Sequence, residues 1–183
     1  MCDINTERAE AAGRRFGVPW FPDAPTMLER VRPDICSITT GGYEYSSDHY
    51  EPAIQALEAG AHILCEKPMC ISLKEADQIA AAVKKSGVTY MSAHNQLFLP
   101  VVQEAKRMIG GGELGRIIWL RSQDCFQAGV AGFKGKWRAK RKFQGGGELI
   151  DTGYHPTYRL LHLAGAPVAA VRGSMGRLSR RCV

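Results

Sequence analysis

Ala61-His62-Ile63-Leu64-Cys65-Glu66-Lys67-Pro68 is the stretch whose reading decides the fold. Its first five residues form an apolar run of strand length, and Glu66-Lys67-Pro68 closes that run at a turn carrying a lysine. Helix and strand patterns alternate on either side. Upstream, Thr6 to Phe16 reads as an amphipathic helix closed by Gly17, Pro25 to Val31 as a short helix, Asp34 to Thr39 as an apolar strand, and Ser47 to Ala59 as a helix ending at Gly60. Downstream, Ser72-Leu73-Lys74-Glu75 is a capping box opening a helix that turns Ala76, Ile79, Ala80 and Val83 inward and stops at Gly87. Val88 to Ala93 is the next strand. Such an order predicts an α/β fold with a doubly wound, mostly parallel sheet whose apolar strands are covered on both faces.

The style changes near Pro100. Val101 to Ile109 reads as a helix opened by that proline, Arg116 to Asp124 as a strand alternating through Ile118, Leu120 and Ser122, and Leu149 to Leu163 as one helix. Alternation of this kind suits an antiparallel sheet with one wet face. Residues 1–97 are therefore expected to form one α/β domain, and 98–183 an α+β domain with antiparallel sheet. Between the last two elements, Gln127 to Gln144 is a glycine- and lysine-rich loop long enough to suspect a functional role.

Gly145-Gly146-Gly147 leads into Asp151-Thr152-Gly153-Tyr154-His155. Lys67, Asp151 and His155 form a candidate proton-handling trio. An amine, a carboxylate and an imidazole facing one another perturb each other's pKa and can take a proton from a hydroxyl near neutral pH. Taken singly, each has a plainer reading: Lys67 as a strand-end lysine, and Asp151 with His155 as an i,i+4 helix pair. What favours function is the place of Lys67 at the carboxyl end of a strand, where open α/β sheets gather ligands. The Lys67-Pro68 bond is expected to be cis, since proline lowers the penalty to about 0.5–1 kcal/mol and tight strand exits use such bonds.

Leu64-Cys65-Glu66-Lys67-Pro68 and the later Gly-Gly-Gly-x-Leu-x-Asp-x-Gly-x-His pattern resemble the Gfo/Idh/MocA family of NAD(P)-dependent oxidoreductases, whose first domain is a Rossmann fold. Asn95 and Phe98 before Pro100, the Gly112-Glu113-Leu114-Gly115-Arg116-Ile117 turn, and Trp137-Arg138 extend the likeness from Asp3 to about Val171. The resemblance implies hydride transfer between NAD or NADP and a hydroxyl of a polyol, sugar or sugar-like substrate. It assigns catalysis to Lys67, Asp151 and His155. It also implies that Asp3, Thr40, His49, Glu66, Lys67, Asn95, Trp137 and Arg138 border the cofactor, with Thr40 and His49 flanking an apparent insertion.

The opening segment departs from that pattern. A Gly-x-Gly-x-x-Gly loop after a first strand normally cradles the pyrophosphate, with an acidic residue about 20 positions later on the ribose. The chain begins instead at Asp3-Ile4-Asn5, as though at the end of a second Rossmann strand. Truncation at both ends is thus expected, and residues 1–183 are expected to bind NAD(P) weakly or undetectably. The alternative is a non-catalytic remnant serving as an interaction module. A further departure is Tyr158, where the family often has aspartate.

The formal charge is +6, concentrated in Lys134, Lys136, Arg138, Lys140, Arg141 and Lys142 and in Arg172, Arg177, Arg180 and Arg181. A phosphate-binding stripe with Trp137 and Phe143 for stacking would be a nucleic-acid reading. No nucleic-acid module pattern accompanies it, so a solvated loop and tail are expected, with no nucleic-acid partner. The six cysteines have no Cys-x-x-Cys spacing, which argues against zinc and disulfides and for a reducing compartment. With no apolar run of about 18 residues and no leader pattern, a cytoplasmic location without membrane partners is expected. A longer form could be a homo-oligomer.

Overall fold

The computed structural model describes residues 1–41, 49–124, 140, 148–174 and 176. Two compact units result, Met1–Ala93 and His94–Val183. The sequence placed the division at residue 97. The short 3-10 turn Asn95–Phe98 falls in the second unit because it packs on two helices there.

In the first unit the order is α1 (Thr6–Phe16), α2 (Ala24–Val31), β1 (Ile35–Ile38), α3 (Tyr50–Glu58), β2 (His62–Cys65), α4 (Leu73–Ser86) and β3 (Tyr90–Ser92). Local chemistry sets the helix ends. Asn5 accepts from the Arg8 amide at 3.0 Å and starts α1, while Gly17 in the left-handed region ends it. Asp23 accepts from the Thr26 amide at 2.7 Å, which holds its carboxyl below the usual range. Ser72 caps α4 by accepting from the Glu75 amide, and Glu75 reaches back to the Ile71 amide, each at 3.3 Å.

The three strands are parallel in the order β1-β2-β3. Cys36, Ile38, Ile63 and Cys65 point into one core with Leu28, Ala53, Ala56, Leu57 and Ile79, supplied by α2, α3 and α4. The expectation of cover on both faces does not hold for the described residues: burial alternates along β1 and β2, leaving Ile35 and Leu64 exposed. Strand continuity in apolar character fixed the strands but not what lies over each face. Ahead of the sheet, Cys2 makes a single parallel bridge with Phe21.

The second unit holds the Asn95–Phe98 turn, α5 (Pro100–Gly110), α6 (Glu148–Asp151) and α7 (Tyr154–Ala164). Two expectations are corrected here. Residues 117–124 form neither helix nor strand ladder among the described residues, and Ile118 and Trp119 lie exposed. Alternation marks a face, whereas a strand also needs a hydrogen-bonding neighbour. This segment is held by Arg159, which bonds Ser122 and both carboxylate oxygens of Asp124. The antiparallel sheet expected for this domain is accordingly not present in the described residues. The helix expected over 149–163 is two helices, broken at Thr152-Gly153. At Gly153 a Cβ would lie 2.8 Å from both the Cα and the carbonyl oxygen of Leu149, so only glycine permits this approach.

Among the described residues, no helix is long and apolar enough to cross a membrane, and no group of three or more His, Cys, Asp or Glu side chains could hold a metal ion. Burial pushes the Cys36 thiol up.

Candidate active site

Parallel register brings the strand ends of the first unit to one edge, with Ile38 opposite Cys65 and Cys65 opposite Ser92. The ladder runs one residue further, since the Glu66 amide donates to the Ile38 carbonyl at 2.9 Å and the Ala93 amide to the Cys65 carbonyl at 2.7 Å. Lys67 is therefore the first residue past the sheet, and Thr40 leaves the same edge two residues after β1. Ligands of open α/β sheets collect outside such carboxyl ends.

The turn itself is fixed twice. Its Lys67-Pro68 bond is cis, as the sequence predicts, and the Glu66 carboxylate accepts from the Lys67 amide at 3.2 Å. His49 then ties the turn to the start of α3: its Nδ1 lies 2.7 Å from the Pro68 carbonyl oxygen. A carbonyl only accepts, so that nitrogen carries the proton. His49 is 7% exposed and acts as a brace for the lysine turn.

Asp3 stands where the chain enters α1. Its carboxylate accepts from the Asn5 amide at 2.8 Å and pairs with Arg8 at 3.2 Å. An oriented carboxylate at a strand end suits a ribose diol. The Gly-x-Gly-x-x-Gly spelling does occur, at Gly110 to Gly115, but it follows the carboxyl end of α5. Helix carboxyl ends present carbonyls, and a pyrophosphate needs the N–H groups of an amino end. A cleft of about 610 Å³ lined by Leu28, Arg32, Asp34, Gln55 and Glu58 opens at the amino ends of the strands, away from Lys67.

In the second unit, Asp151 ends α6 and His155 is the second residue of α7, both half-buried. The His155 Nδ1 lies 2.7 Å from the Tyr158 hydroxyl. That hydroxyl also receives the Gln96 amide at 3.2 Å and faces the Asn95 Oδ1 at 3.4 Å. The Tyr158 ring is buried and stacks on His94 with centroids 4.3 Å apart, while His94 Nε2 sits 2.9 Å from the Tyr154 hydroxyl. Burial lowers the His94 pKa from its ordinary 6.5. The sequence singled out His155 and Asn95 as candidates but took Tyr158 as a departure only. The signal available was its i,i+3 spacing from His155 on one helix face.

Lys67 thus belongs to the first unit, and Asn95, Asp151 and His155 to the second. Trp137, Arg138 and the glycines at 145–147 lie outside the described residues, as does the basic stretch at 134–142 apart from Lys140.

Comparison with known proteins gives matches over both units. The profile described as "Oxidoreductase family, NAD-binding Rossmann fold", that of Gfo/Idh/MocA, covers residues 1–94, and the "GFO/IDH/MocA C-terminal domain" covers 102–181. D-glucoside 3-dehydrogenase of Escherichia coli is 30% identical over 91% of this chain and 46% of its own length. Levoglucosan dehydrogenase of Pseudarthrobacter phenanthrenivorans is 32% identical over 90% of this chain and 42% of its own. Among solved structures, an inositol dehydrogenase homolog complexed with NAD+ from Azotobacter vinelandii has a TM-score of 0.73 at 28% identity, covering 89% of this chain and 44% of that one. The chain spans under half the length of these relatives.

Proposed function

Because this chain belongs to the Gfo/Idh/MocA family of NAD-binding oxidoreductases, we propose that the protein transfers a hydride between NAD(P) and a hydroxyl of a polyol, sugar or sugar-like substrate. The observation that carries this reading is Glu66-Lys67-Pro68 at the carboxyl end of the middle strand, in the unit that matches the NAD-binding profile. The relatives named for oxidising glucosides and levoglucosan support the substrate class.

In this reading Lys67 of the first unit and Asp151 and His155 of the second are the groups that handle the proton of the reacting hydroxyl. The Lys67 ammonium donates to the reacting hydroxyl and lowers its pKa, and the His155 imidazole takes the proton. Asp151, one turn before His155, adds negative charge that favours the imidazolium formed. NAD(P), when bound, supplies the hydride acceptor. Asp3 holds the ribose hydroxyls; Thr40, Glu66, Asn95, Trp137 and Arg138 border the remaining cofactor and substrate. His49 keeps the lysine turn in place.

The test is a spectrophotometric assay of the full protein with NAD+ or NADP+ and a panel of inositols, alkyl glucosides and anhydrosugars, using substrate deuterated at the reacting carbon. Cofactor reduction slowed by the deuterium, with at least one such substrate, is the expected result. Nucleotide titration showing no binding, together with no turnover of any polyol, would overturn the proposal and favour an interaction module.

A further inference from the structure

We infer that Tyr158 is a positioning residue that selects the tautomer of His155, holding the proton on Nδ1 so that the lone pair falls on Nε2. The inference rests on the proposed role of His155 as the proton acceptor, and it adds to that role a stated nitrogen and the residue that chooses it.

The argument is an account of one phenolic proton. A tyrosine hydroxyl donates once and otherwise accepts. Among the described residues, the Tyr158 oxygen meets the Gln96 amide at 3.2 Å, the His155 Nδ1 at 2.7 Å and the Asn95 Oδ1 at 3.4 Å. The Gln96 amide can only donate, and Oδ1 can only accept. If the phenol gives its proton to Asn95, it can accept from both Gln96 and a protonated His155 Nδ1. Every contact then joins a donor to an acceptor. If the phenol instead gives its proton to Nδ1, its lone pairs face those of Oδ1, and the Asn95 contact turns repulsive. The first arrangement puts the basic nitrogen at Nε2. Free imidazoles prefer the proton on Nε2, so a partner at Nδ1 is needed to reverse that preference, and the hydrogen bond at one ring nitrogen decides the state of the other.

The surroundings keep the phenol where this selection needs it. Tyr158 is buried, its ring stacks on His94 at 4.3 Å, and it meets the rings of Tyr154 and His155 edge-on. Among the described residues, the titratable groups near this contact are His94, whose pKa is lowered by burial, the phenols of Tyr154 and Tyr158, and Asp151, four residues before His155. A neutral His94 adds no charge to the selection near neutral pH. An aspartate at position 158 would accept from Nδ1 as a charged group; tyrosine performs the same selection without charge, and Asn95 supplies the direction that a carboxylate would not need.

The experiment reads both ring nitrogens of His155 by long-range proton–nitrogen NMR on the 15N-histidine-labelled full chain at about pH 8, where imidazoles are neutral. His155→Gln assigns the signals. The expected wild-type state is Nδ1–H. Tyr158→Phe keeps the ring and its stacking, and Asn95→Ala removes the acceptor for the phenolic proton; each is expected to shift His155 toward Nε2–H. A wild-type His155 already protonated on Nε2, or a tautomer unmoved in both folded variants, overturns the inference. Thermal melts confirm that the variants fold, and if one does not, the other still decides. In turnover assays Tyr158→Phe should lower kcat by about 10- to 100-fold, a fraction of what a base itself contributes, with KM nearly unchanged. A tautomer shift with kcat unchanged would leave the selection intact and refute His155 as the base.

Discussion

The Lys67 turn and the His155 helix are built by different means. Lys67 is placed mainly by main-chain groups: the parallel ladder extends to Glu66 and Ala93, and the Glu66 and His49 side chains bond main-chain groups of the turn, the Lys67 amide and the Pro68 carbonyl. His155 is placed by side chains, through Tyr158 to Gln96 and Asn95, more than 60 positions away in sequence. A ladder tolerates change in the residues it carries, because its bonds belong to the main chain. A side-chain network fails when one member is replaced. The first kind of placement suits a residue needed as a charge at a fixed distance, and the second suits one whose proton must sit on a chosen atom.

Substitutions can break this contrast, starting with the largest effect. Lys67→Met and His155→Gln should each lower kcat/KM by about 10²–10⁴-fold in steady-state kinetics, the range for a proton-transferring group. Gly153→Ala drives a methyl into the Leu149 backbone at 2.8 Å. It should cost about 1–3 kcal/mol, the range for overpacking, and hydrogen exchange should show the loss in α7 while β2 stays protected. Equal loss in both would refute separate means of placement. His49→Leu removes the donor from the half-buried Pro68 carbonyl and should cost about 0.5–1.5 kcal/mol, read as a lower denaturant midpoint for the first unit. The smallest effect is pH dependence. The His94 pKa is lowered in the folded state, so the unfolded chain binds that proton more readily. The stability of the second unit should be full above about pH 6.5 and fall as pH drops through that value toward the folded pKa. His94→Gln should flatten part of that fall in denaturant titrations at pH 5 and 7.

The sequence is most legible where chemistry is local. Asn5 with Gly17, and Ser72 with Gly87, bracket α1 and α4 at the residues read from the sequence alone. The strand-exit lysine and the cis bond were readable because Pro68 punctuates an apolar run. What escaped depends on partners distant in sequence. Alternation over 116–124 was real, but pairing cannot be read from one segment, and Arg159 holds it to α7 instead. The break at Gly153 is the local exception, set by how closely the Leu149 backbone four residues earlier approaches. Asn95, Asp151 and His155 could be proposed because each sits in a motif. Tyr158 belonged to none, and its importance rests on one hydroxyl meeting three groups in space.

The proposed function assigns Lys67 and His155, placed by such different means, to the same proton transfer. A double-mutant cycle on kcat/KM for hydride transfer tests it most directly, because residues that act as a unit are strongly non-additive. The account predicts that Lys67→Met combined with His155→Gln is at most a few-fold worse than the poorer single variant. A double variant whose loss equals the product of the two single losses would contradict it.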